Sequence, residues 1–279
     1  MKPGKIRLDV LLVQRGLFPS REAARRAIMA GQVMRGGEVV DKPGTQVYTD
    51  ESFEVLQPSH QFVSRGGLKL ERALDVFSVS LKDQVVIDVG ASTGGFTDCA
   101  LQHGASRVYA VDVGYGQLAW KLRIDDRVVV MERTNFRHVD ASRFDPKPSV
   151  AVMDVSFIST RLLLPKLMEV LTSPGVILSL VKPQFEAGRE HVGKGGIVRD
   201  PKVHLNVLRR LITFVYDAGM ACDGLTYSPI QGGDGNIEYL AKWVMGGADV
   251  TPAEVWLEAA RHTVESAWDK LTGERPVLT

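Results

Sequence analysis

Short apolar runs separated by amphipathic stretches occupy most of the chain after residue 80. Runs of strand length lie at residues 84–89, 107–112, 127–131, 149–154, 175–181, 221–227 and 237–244. Apolar residues at helical spacing fall between most of these runs. Alternation of strands and helices over about 200 residues is typical of a doubly wound sheet with helices on both faces. The pattern therefore predicts an α/β fold for this part of the chain.

The first 60 residues follow a different pattern. Leu8, Leu11, Leu12 and Arg15 lie on one helical stripe that ends at Gly16. The next segment, "REAARRAIMAG", predicts a second helix whose inner face holds Ala24, Ala27 and Ile28. Short β-like pieces rich in Gly and Pro follow. We predict a small N-terminal α+β domain at residues 1–58, a linker at 59–64 and the larger domain at 65–279.

Charge is balanced over the whole chain but not along it. The 279 residues carry a formal net charge of +1, whereas residues 1–35 hold eight Lys or Arg and two acids. Two cysteines are too few for a disulfide framework or a zinc site. No apolar run reaches the roughly 20 residues of a membrane helix. We expect a cytoplasmic protein with no metal ion, no membrane segment and a basic N-terminal patch; its oligomeric state stays open.

A glycine-rich turn follows the first strand of the larger domain, in "VVIDVGASTGGFTD" at residues 85–98. Glycines let a backbone approach a ligand closely, and the next helix begins with unpaired N–H groups. Asp112, about 20 residues further on, suits hydrogen bonds to a ribose diol. The turn matches neither G-x-G-x-x-G nor a P-loop, so a nucleoside is the expected ligand. A plain strand–turn–helix corner is the structural alternative.

The pattern D-x-G-x-x-x-G-G in this turn resembles the first motif of S-adenosylmethionine-dependent methyltransferases. The resemblance implies S-adenosylmethionine as the cofactor in a Rossmann-like sheet. The segment "ERTNFRH" after the third strand would then lie beside the adenine. The cofactor-binding residues expected on this basis are Asp88, Gly90, Ala91, Ser92, Thr93, Gly94, Gly95, Phe96, Asp112, Thr134, Asn135 and Asp154.

Two acids and two lysines occupy positions that suggest a reaction site. Asp154 and Lys182 end the fourth and fifth strands, and strand ends of this kind line the ligand crevice of an open α/β sheet. Lys69 lies at the edge of a buried helical stripe, and Glu238 lies between apolar neighbours. Each also has a structural alternative, as a solvated side chain or a turn cap. Together their order resembles the Lys–Asp–Lys–Glu set of ribose 2′-O-methyltransferases related to FtsJ.

The chemistry of ribose methylation suits this set. A ribose hydroxyl is a poor nucleophile and must lose its proton as it attacks the methyl group. A lysine can accept that proton when burial or a nearby positive charge lowers its pKa. Lys182 is the candidate for this role, Asp154 and Glu238 would orient it, and Lys69 would tune it. The chain has "DVSF" in place of the [DN]-P-P-[FYW] of base-amine methylases, and neither cysteine follows a strand end.

The N-terminal segment "RLDVLLVQRGLFPSREAARRAI", with its closing "VDKPG" turn, resembles the RNA-binding module named after ribosomal protein S4. The resemblance implies contacts to RNA phosphates, which are read by shape and charge more than by sequence. The candidate RNA-binding residues are Arg7, Arg15, Arg21, Arg25, Arg26 and Lys42. The structural alternative is a solvated charged face.

Taken together, these segments, with "RGGLKLERAL", "VKPQFEAGRE" and "GNIEYL", resemble the TlyA or haemolysin A family. The resemblance implies cytidine 2′-O-methylation of large-subunit ribosomal RNA and, in some members, of small-subunit RNA, with effects on sensitivity to capreomycin-like peptides. Two rival functions stay open: a membrane-lytic protein and a ribosome-assembly factor with a decayed methylase fold. A small-molecule methyltransferase is a third alternative, but it would leave the basic N-terminal domain without a task. The Gly-rich stretch 185–200 is either a mobile loop that closes over RNA or a disordered connector.

Overall fold

A computed structural model describes residues 4–18, 20–29, 31–55, 61–232, 235–247 and 250–278. The chain divides into two compact units, Met1–Gln61 and Phe62–Thr279. The domain limits given above, with a linker at residues 59–64, remain predictions. Phe62, within the predicted linker, is buried in the larger unit.

The small unit packs two helices against short strands. Its elements are β1 (Lys5–Arg7), α1 (Leu8–Gln14), α2 (Arg21–Met29), β2 (Val33–Arg35), β3 (Glu38–Val39), β4 (Gln46–Tyr48) and β5 (Glu54–Val55). Strand β1 pairs with β4, and β2 lies between β3 and β5. The predicted inner face of α2 is confirmed, since Ala24, Ala27 and Ile28 are buried. Arg15 departs from its predicted stripe: α1 ends before it, and its side chain is exposed.

The larger unit is a seven-stranded sheet with helices on both faces. Its elements are α3 (Gly66–Phe77), β6 (Val85–Val89), α4 (Gly95–Gln102), β7 (Arg107–Val111), α5 (Trp120–Arg123), β8 (Val128–Met131), β9 (Val150–Met153), α6 (Leu164–Val170), β10 (Gly175–Val181), α7 (Pro183–Glu186), α8 (Pro201–Asp217), β11 (Ala221–Tyr227), β12 (Tyr239–Met245) and α9 (Ala253–Thr272). The strand order is β11-β12-β10-β9-β6-β7-β8. The predicted α/β class is confirmed.

All neighbours in this sheet are parallel except at β12, which is antiparallel to β10 and β11. Alternate strand residues point to opposite faces, so each strand supplies two hydrophobic cores. Val86 packs with Leu70 and Ala100 on one face, whereas Ile87 packs with Leu164 on the other. The parallel strands all end at one edge of the sheet, where the turn after β6 meets the ends of β9 and β10.

Candidate active site

A glycine-rich turn at residues 90–94 separates β6 from α4. Gly90 has a φ of +89°, and a Cβ there would lie 2.4 Å from the main-chain oxygen of Asp154. Gly94 has a φ of +98° and packs against Leu122. Both positions exclude a side chain by conformation and by space. The backbone of this turn can therefore approach a ligand at the end of β9.

Two carboxylates hold the turn. Asp112, which follows β7, accepts hydrogen bonds from the amides of Ser92 at 2.8 Å and Gly114 at 2.6 Å. Asp88, at the end of β6, is fully buried and accepts a 2.6 Å hydrogen bond from the Thr97 hydroxyl. Burial raises the pKa of Asp88 to about 7. Its second oxygen, Oδ1, has no hydrogen-bond partner among the described residues.

The first lysine–carboxylate pair joins the ends of β9 and β10. Lys182 Nζ lies 2.6 Å from Asp154 Oδ1 and donates a 3.1 Å hydrogen bond to Ser156 Oγ. The lysine contact with Asp154 is an ion pair that lacks the alignment of a hydrogen bond. Only 10% of the Lys182 side chain is exposed. Because β9 and β10 are parallel neighbours, their final residues meet at the same edge.

The second pair brings together residues 169 positions apart. Lys69 Nζ, on α3, donates a 2.5 Å hydrogen bond to Glu238 Oε2, and both side chains are buried. The register of β10 and β12 pairs Val181 with Tyr239, so Lys182 and Glu238 lie one step beyond the last pair. Glu238 and Tyr239 have different surroundings, because Tyr239 packs in a hydrophobic core while Glu238 faces Lys69.

Two clefts, each of about 350 Å³, meet at the end of β9. Gly90, Ser92, Asp154 and Ser156 line both of them. The first cleft is also lined by Asp112, Thr134 and Asn135, and the second by Ala91, Thr93, Gly95, Phe96, Lys69 and Lys182. Of the predicted cofactor-binding residues, Asp88 and Gly94 line neither cleft. The arrangement offers one chamber for a nucleoside donor and one for an acceptor, with Asp154 between them.

Several residues at these clefts were missed by sequence reasoning. Ser156 binds Lys182, and Phe157 lines the first cleft with 91% of its surface exposed and a φ of +65°. Both belong to the "DVSF" segment, so a sequence signal was present. Gln231 lines the second cleft from a loop that carried no signal, whereas Arg65 begins the "RGGLKLERAL" segment but was not singled out.

The candidate RNA-binding residues occupy different parts of the small unit. Arg7 and Arg21 both bind Asp9, whereas Arg15 donates a 2.8 Å hydrogen bond to the Thr49 carbonyl. Arg25 and Lys42 are exposed. The side chain of Arg26 lies outside the described part of the structure. No group of His, Cys, Asp and Glu side chains suited to a metal ion occurs among the described residues.

Known protein families match both the small and the larger unit of the chain. The FtsJ-like methyltransferase family matches residues 62–243, and the S4 domain matches residues 6–51. YqxC of Bacillus subtilis (strain 168), provisionally named an rRNA methyltransferase, is 56% identical over 96% of this chain and 95% of its own. The 16S/23S rRNA (cytidine-2'-O)-methyltransferase TlyA of Mycobacterium tuberculosis is 40% identical over 92% of this chain and 96% of its own.

A solved structure also resembles the whole chain. A Streptococcus thermophilus protein, provisionally titled a hemolysin, is 47% identical, has a TM-score of 0.77 and covers 98% of both chains. Hemolysin A of Brachyspira hyodysenteriae is 43% identical over 86% of this chain and 100% of its own. One family thus carries both names, and this chain belongs to it: the TlyA/hemolysin family of FtsJ-like methyltransferases.

Proposed function

We propose that this enzyme transfers a methyl group from S-adenosylmethionine to the 2′-hydroxyl of a cytidine ribose in ribosomal RNA. The observation that carries the proposal is the Lys182–Asp154 ion pair at the point where the two clefts meet. The relative named for cytidine-2′-O-methylation supports the choice of acceptor. We propose large-subunit RNA as the first substrate and small-subunit RNA as the second, both in cytoplasmic ribosomal subunits.

The residues of the first cleft fit the proposed donor. The Gly90 turn leaves its backbone open to the cleft, and Asp112 stands at the cleft wall with its carboxylate held by two amides. Asp88 is buried and lines neither cleft, so its part would be to hold the start of α4 through Thr97. When bound, S-adenosylmethionine supplies an activated methyl group on a sulfonium. Asp112 and the turn amides would hold it, with Thr134 and Asn135 beside the base.

The residues of the second cleft fit proton removal from a ribose hydroxyl. We assign Lys182 Nζ to accept the proton of the 2′-hydroxyl, once the ammonium of its ion pair with Asp154 has released a proton to solvent. Asp154 then stabilises the ammonium that forms, and Ser156 fixes its direction. Lys69, held by Glu238, keeps a positive charge near the developing oxyanion. Positioning of the hydroxyl against the methyl group supplies much of the remaining acceleration.

The acceptor assignment is tested by mapping methylated riboses. Purified large and small ribosomal subunits are incubated with labelled S-adenosylmethionine and the wild-type enzyme, Lys182→Ala or Lys242→Ala. Lys242 is a matched control, because its Nζ also lies 2.6 Å from an aspartate, Asp223, but it lines neither cleft. We expect label on a cytidine 2′-oxygen with wild type and Lys242→Ala, and none with Lys182→Ala. Label on a base would overturn the proposal.

The donor assignment is tested by calorimetry. Asp112→Ala removes the carboxylate that accepts hydrogen bonds from the amides of Ser92 and Gly114, so we expect binding of S-adenosylmethionine to weaken about tenfold. Lys182→Ala should bind the donor as wild type does. Equal donor affinity in Asp112→Ala and wild type would remove Asp112 from the donor site.

The two rival functions make different demands. None of the described helices is long and apolar enough to cross a membrane. A lytic protein would lyse erythrocytes equally well as wild type and as Lys182→Ala. A decayed assembly factor would bind ribosomal subunits but not S-adenosylmethionine, which the same calorimetry reveals.

A further inference from the structure

One buried carboxylate in the small unit binds two arginines. Asp9, in the first turn of α1, has a fully buried side chain. Its oxygens accept hydrogen bonds from Arg7 Nε at 3.0 Å, Arg7 Nη2 at 2.9 Å and Arg21 Nε at 3.0 Å. The side chains of Arg7 and Arg21 stay 41% and 53% exposed. The acid is therefore hidden beneath two guanidinium groups that face solvent.

A turn from a distant part of the unit borders the same group. The amide of Asp9 donates a 3.1 Å hydrogen bond to the Pro43 carbonyl. A Cβ on Gly44 would lie 3.1 Å from Arg7 Nη1, so this residue leaves room for the guanidinium. Lys42, on the same turn, is exposed. The turn thus places a third cation on the chain segment that packs beside Arg7.

The arginines keep donors that Asp9 does not use. Arg7 Nη1 and both terminal nitrogens of Arg21 form no hydrogen bond with any part of the chain that the structure describes. One carboxylate and two guanidinium groups leave a surplus positive charge on the exposed side. Guanidinium groups fixed by a carboxylate on one edge can bind a phosphate with the other edge.

We propose that Asp9 is a positioning residue that assembles Arg7 and Arg21, beside the Lys42–Gly44 turn, into a single binding site for an RNA backbone phosphate. The proposal rests on the proposed function, since it assumes that the substrate is RNA. It goes further by assigning a role to an acid in a surface that must attract an anion. The acid removes one unit of positive charge, and in return the two guanidinium groups are held in place before RNA arrives.

Neutralising Asp9 separates geometry from charge, because the two effects have opposite signs. Asp9→Asn makes the surface more positive, so electrostatics alone predicts tighter RNA binding. The amide also places N–H donors against the guanidinium groups, so the arginines lose their fixed position. If Asp9 positions them, affinity for RNA falls despite the added positive charge. The direction of the change therefore decides between the two explanations.

The experiment measures binding of the full-length protein to purified bacterial large ribosomal subunits over a series of salt concentrations. We expect Asp9→Asn to bind about tenfold more weakly. We also expect the slope of log K against log[salt] to become shallower by about one, the loss of one phosphate contact. Asp50→Asn, which removes an exposed acid from the same unit, is the matched control and should bind as tightly as wild type or more so. Unchanged or tighter binding by Asp9→Asn overturns the proposal.

Loss of folding is distinguished by kinetics and by a second variant. A positioning role raises KM for ribosomal subunits while kcat at saturation and donor affinity stay unchanged, whereas partial unfolding lowers kcat. Gly44→Ala keeps every charge and crowds only Arg7 Nη1, so we expect a smaller loss of RNA affinity, about twofold to threefold. Weaker binding by Asp9→Asn with kcat lowered and KM unchanged would contradict the positioning role.

Failure of this proposal and failure of the proposed function give different results. If wild-type enzyme leaves ribosomal RNA unmethylated, the proposed function fails, whatever Asp9→Asn does. If wild type methylates ribosomal RNA and Asp9→Asn keeps its KM, only the role of Asp9 fails.

Discussion

The two charged clusters of this chain divide their charges differently. In the small unit, one buried carboxylate, Asp9, serves two arginines and leaves a surplus positive charge. In the larger unit, two lysines each have a carboxylate of their own, in the pairs Lys69–Glu238 and Lys182–Asp154. The first cluster is therefore suited to hold an anion, and the second is electrically balanced.

The difference follows from what each cluster is proposed to do. A phosphate-binding surface needs permanent positive charge, which arginine provides because it does not lose its proton in proteins. A site that moves a proton needs a group that can change its charge, which lysine can do. Exchanging lysine for arginine, or arginine for lysine, conserves the charge and should thus have unequal effects in the two clusters.

The largest effect is expected from Lys182→Arg. Arginine can keep an ion pair with Asp154, but its guanidinium cannot accept the hydroxyl proton. We expect kcat for methyl transfer to fall at least about 100-fold, within the range for loss of a general base. Affinity for S-adenosylmethionine should be unchanged. Single-turnover kinetics measures this, with Lys242→Arg as the matched control; a Lys182→Arg enzyme that retains wild-type kcat would mean that charge alone is required.

The next effect concerns the buried pair on the other side of the cleft. Glu238→Gln leaves the Lys69 ammonium buried without a counter-charge, and breaking a buried pair in this way destabilises by about 3 kcal/mol. Asp223→Asn breaks the half-exposed pair with Lys242 and should change stability by less than about 1 kcal/mol. Denaturant unfolding of the full-length protein, followed in the larger unit, measures the loss of unfolding free energy in each variant. Equal destabilisation would show that burial does not distinguish these pairs.

Most of the sheet could be predicted because its central strands are buried on both faces. Residues 175–181 and 221–227 form strands with the bounds that the apolar runs predicted. At 237–244 the observed strand begins only at Tyr239, since Ile237 and Glu238 precede the pairing with β10. The run at 175–181 is apolar or small throughout and identifies a buried strand without knowledge of its neighbours, whereas 221–227 is an edge strand that includes the exposed Asp223.

Contacts between distant segments could not be read from the pattern. In the sequence Asp9 is only one of two acids in a basic segment. Its burial could not be predicted, because it depends on the distant turn at residues 42–45. The pairing of Lys69 with Glu238 came from a family resemblance, not from spacing. Residues 185–200 were expected to be either a mobile loop or a disordered connector, and neither expectation includes fixed ends. In the structure Glu186 accepts hydrogen bonds from Thr160, and Val198 donates one to Asn236.

A smaller effect is expected from acid, and it concerns only the small unit. The two arginines lower the pKa of Asp9 from 3.8 to about 2. A lowered pKa stabilises the folded state at pH values above 3.8, and this contribution is lost as the pH falls toward 2. The lowered pKa contributes about 2 kcal/mol to the free energy of unfolding. Hydrogen exchange in residues 4–55 should therefore show a stability gap between wild type and Asp9→Asn that narrows by this amount from pH 4 to pH 2; a constant gap would contradict it.

The smallest effect is expected at Arg25, an exposed residue beside the cluster of Asp9, Arg7 and Arg21. Arg25 lies one helical turn beyond Arg21 and does not bind Asp9, so it contributes charge without a fixed position. Arg25→Glu should weaken binding to ribosomal subunits about fivefold near 0.1 M salt, and the difference should fade as salt rises. Lys82→Glu makes the same charge reversal in the loop before β6, at the sheet edge opposite the clefts, and should have less effect. A loss of affinity in Arg25→Glu that persists at high salt would mean that Arg25 also binds RNA from a fixed position.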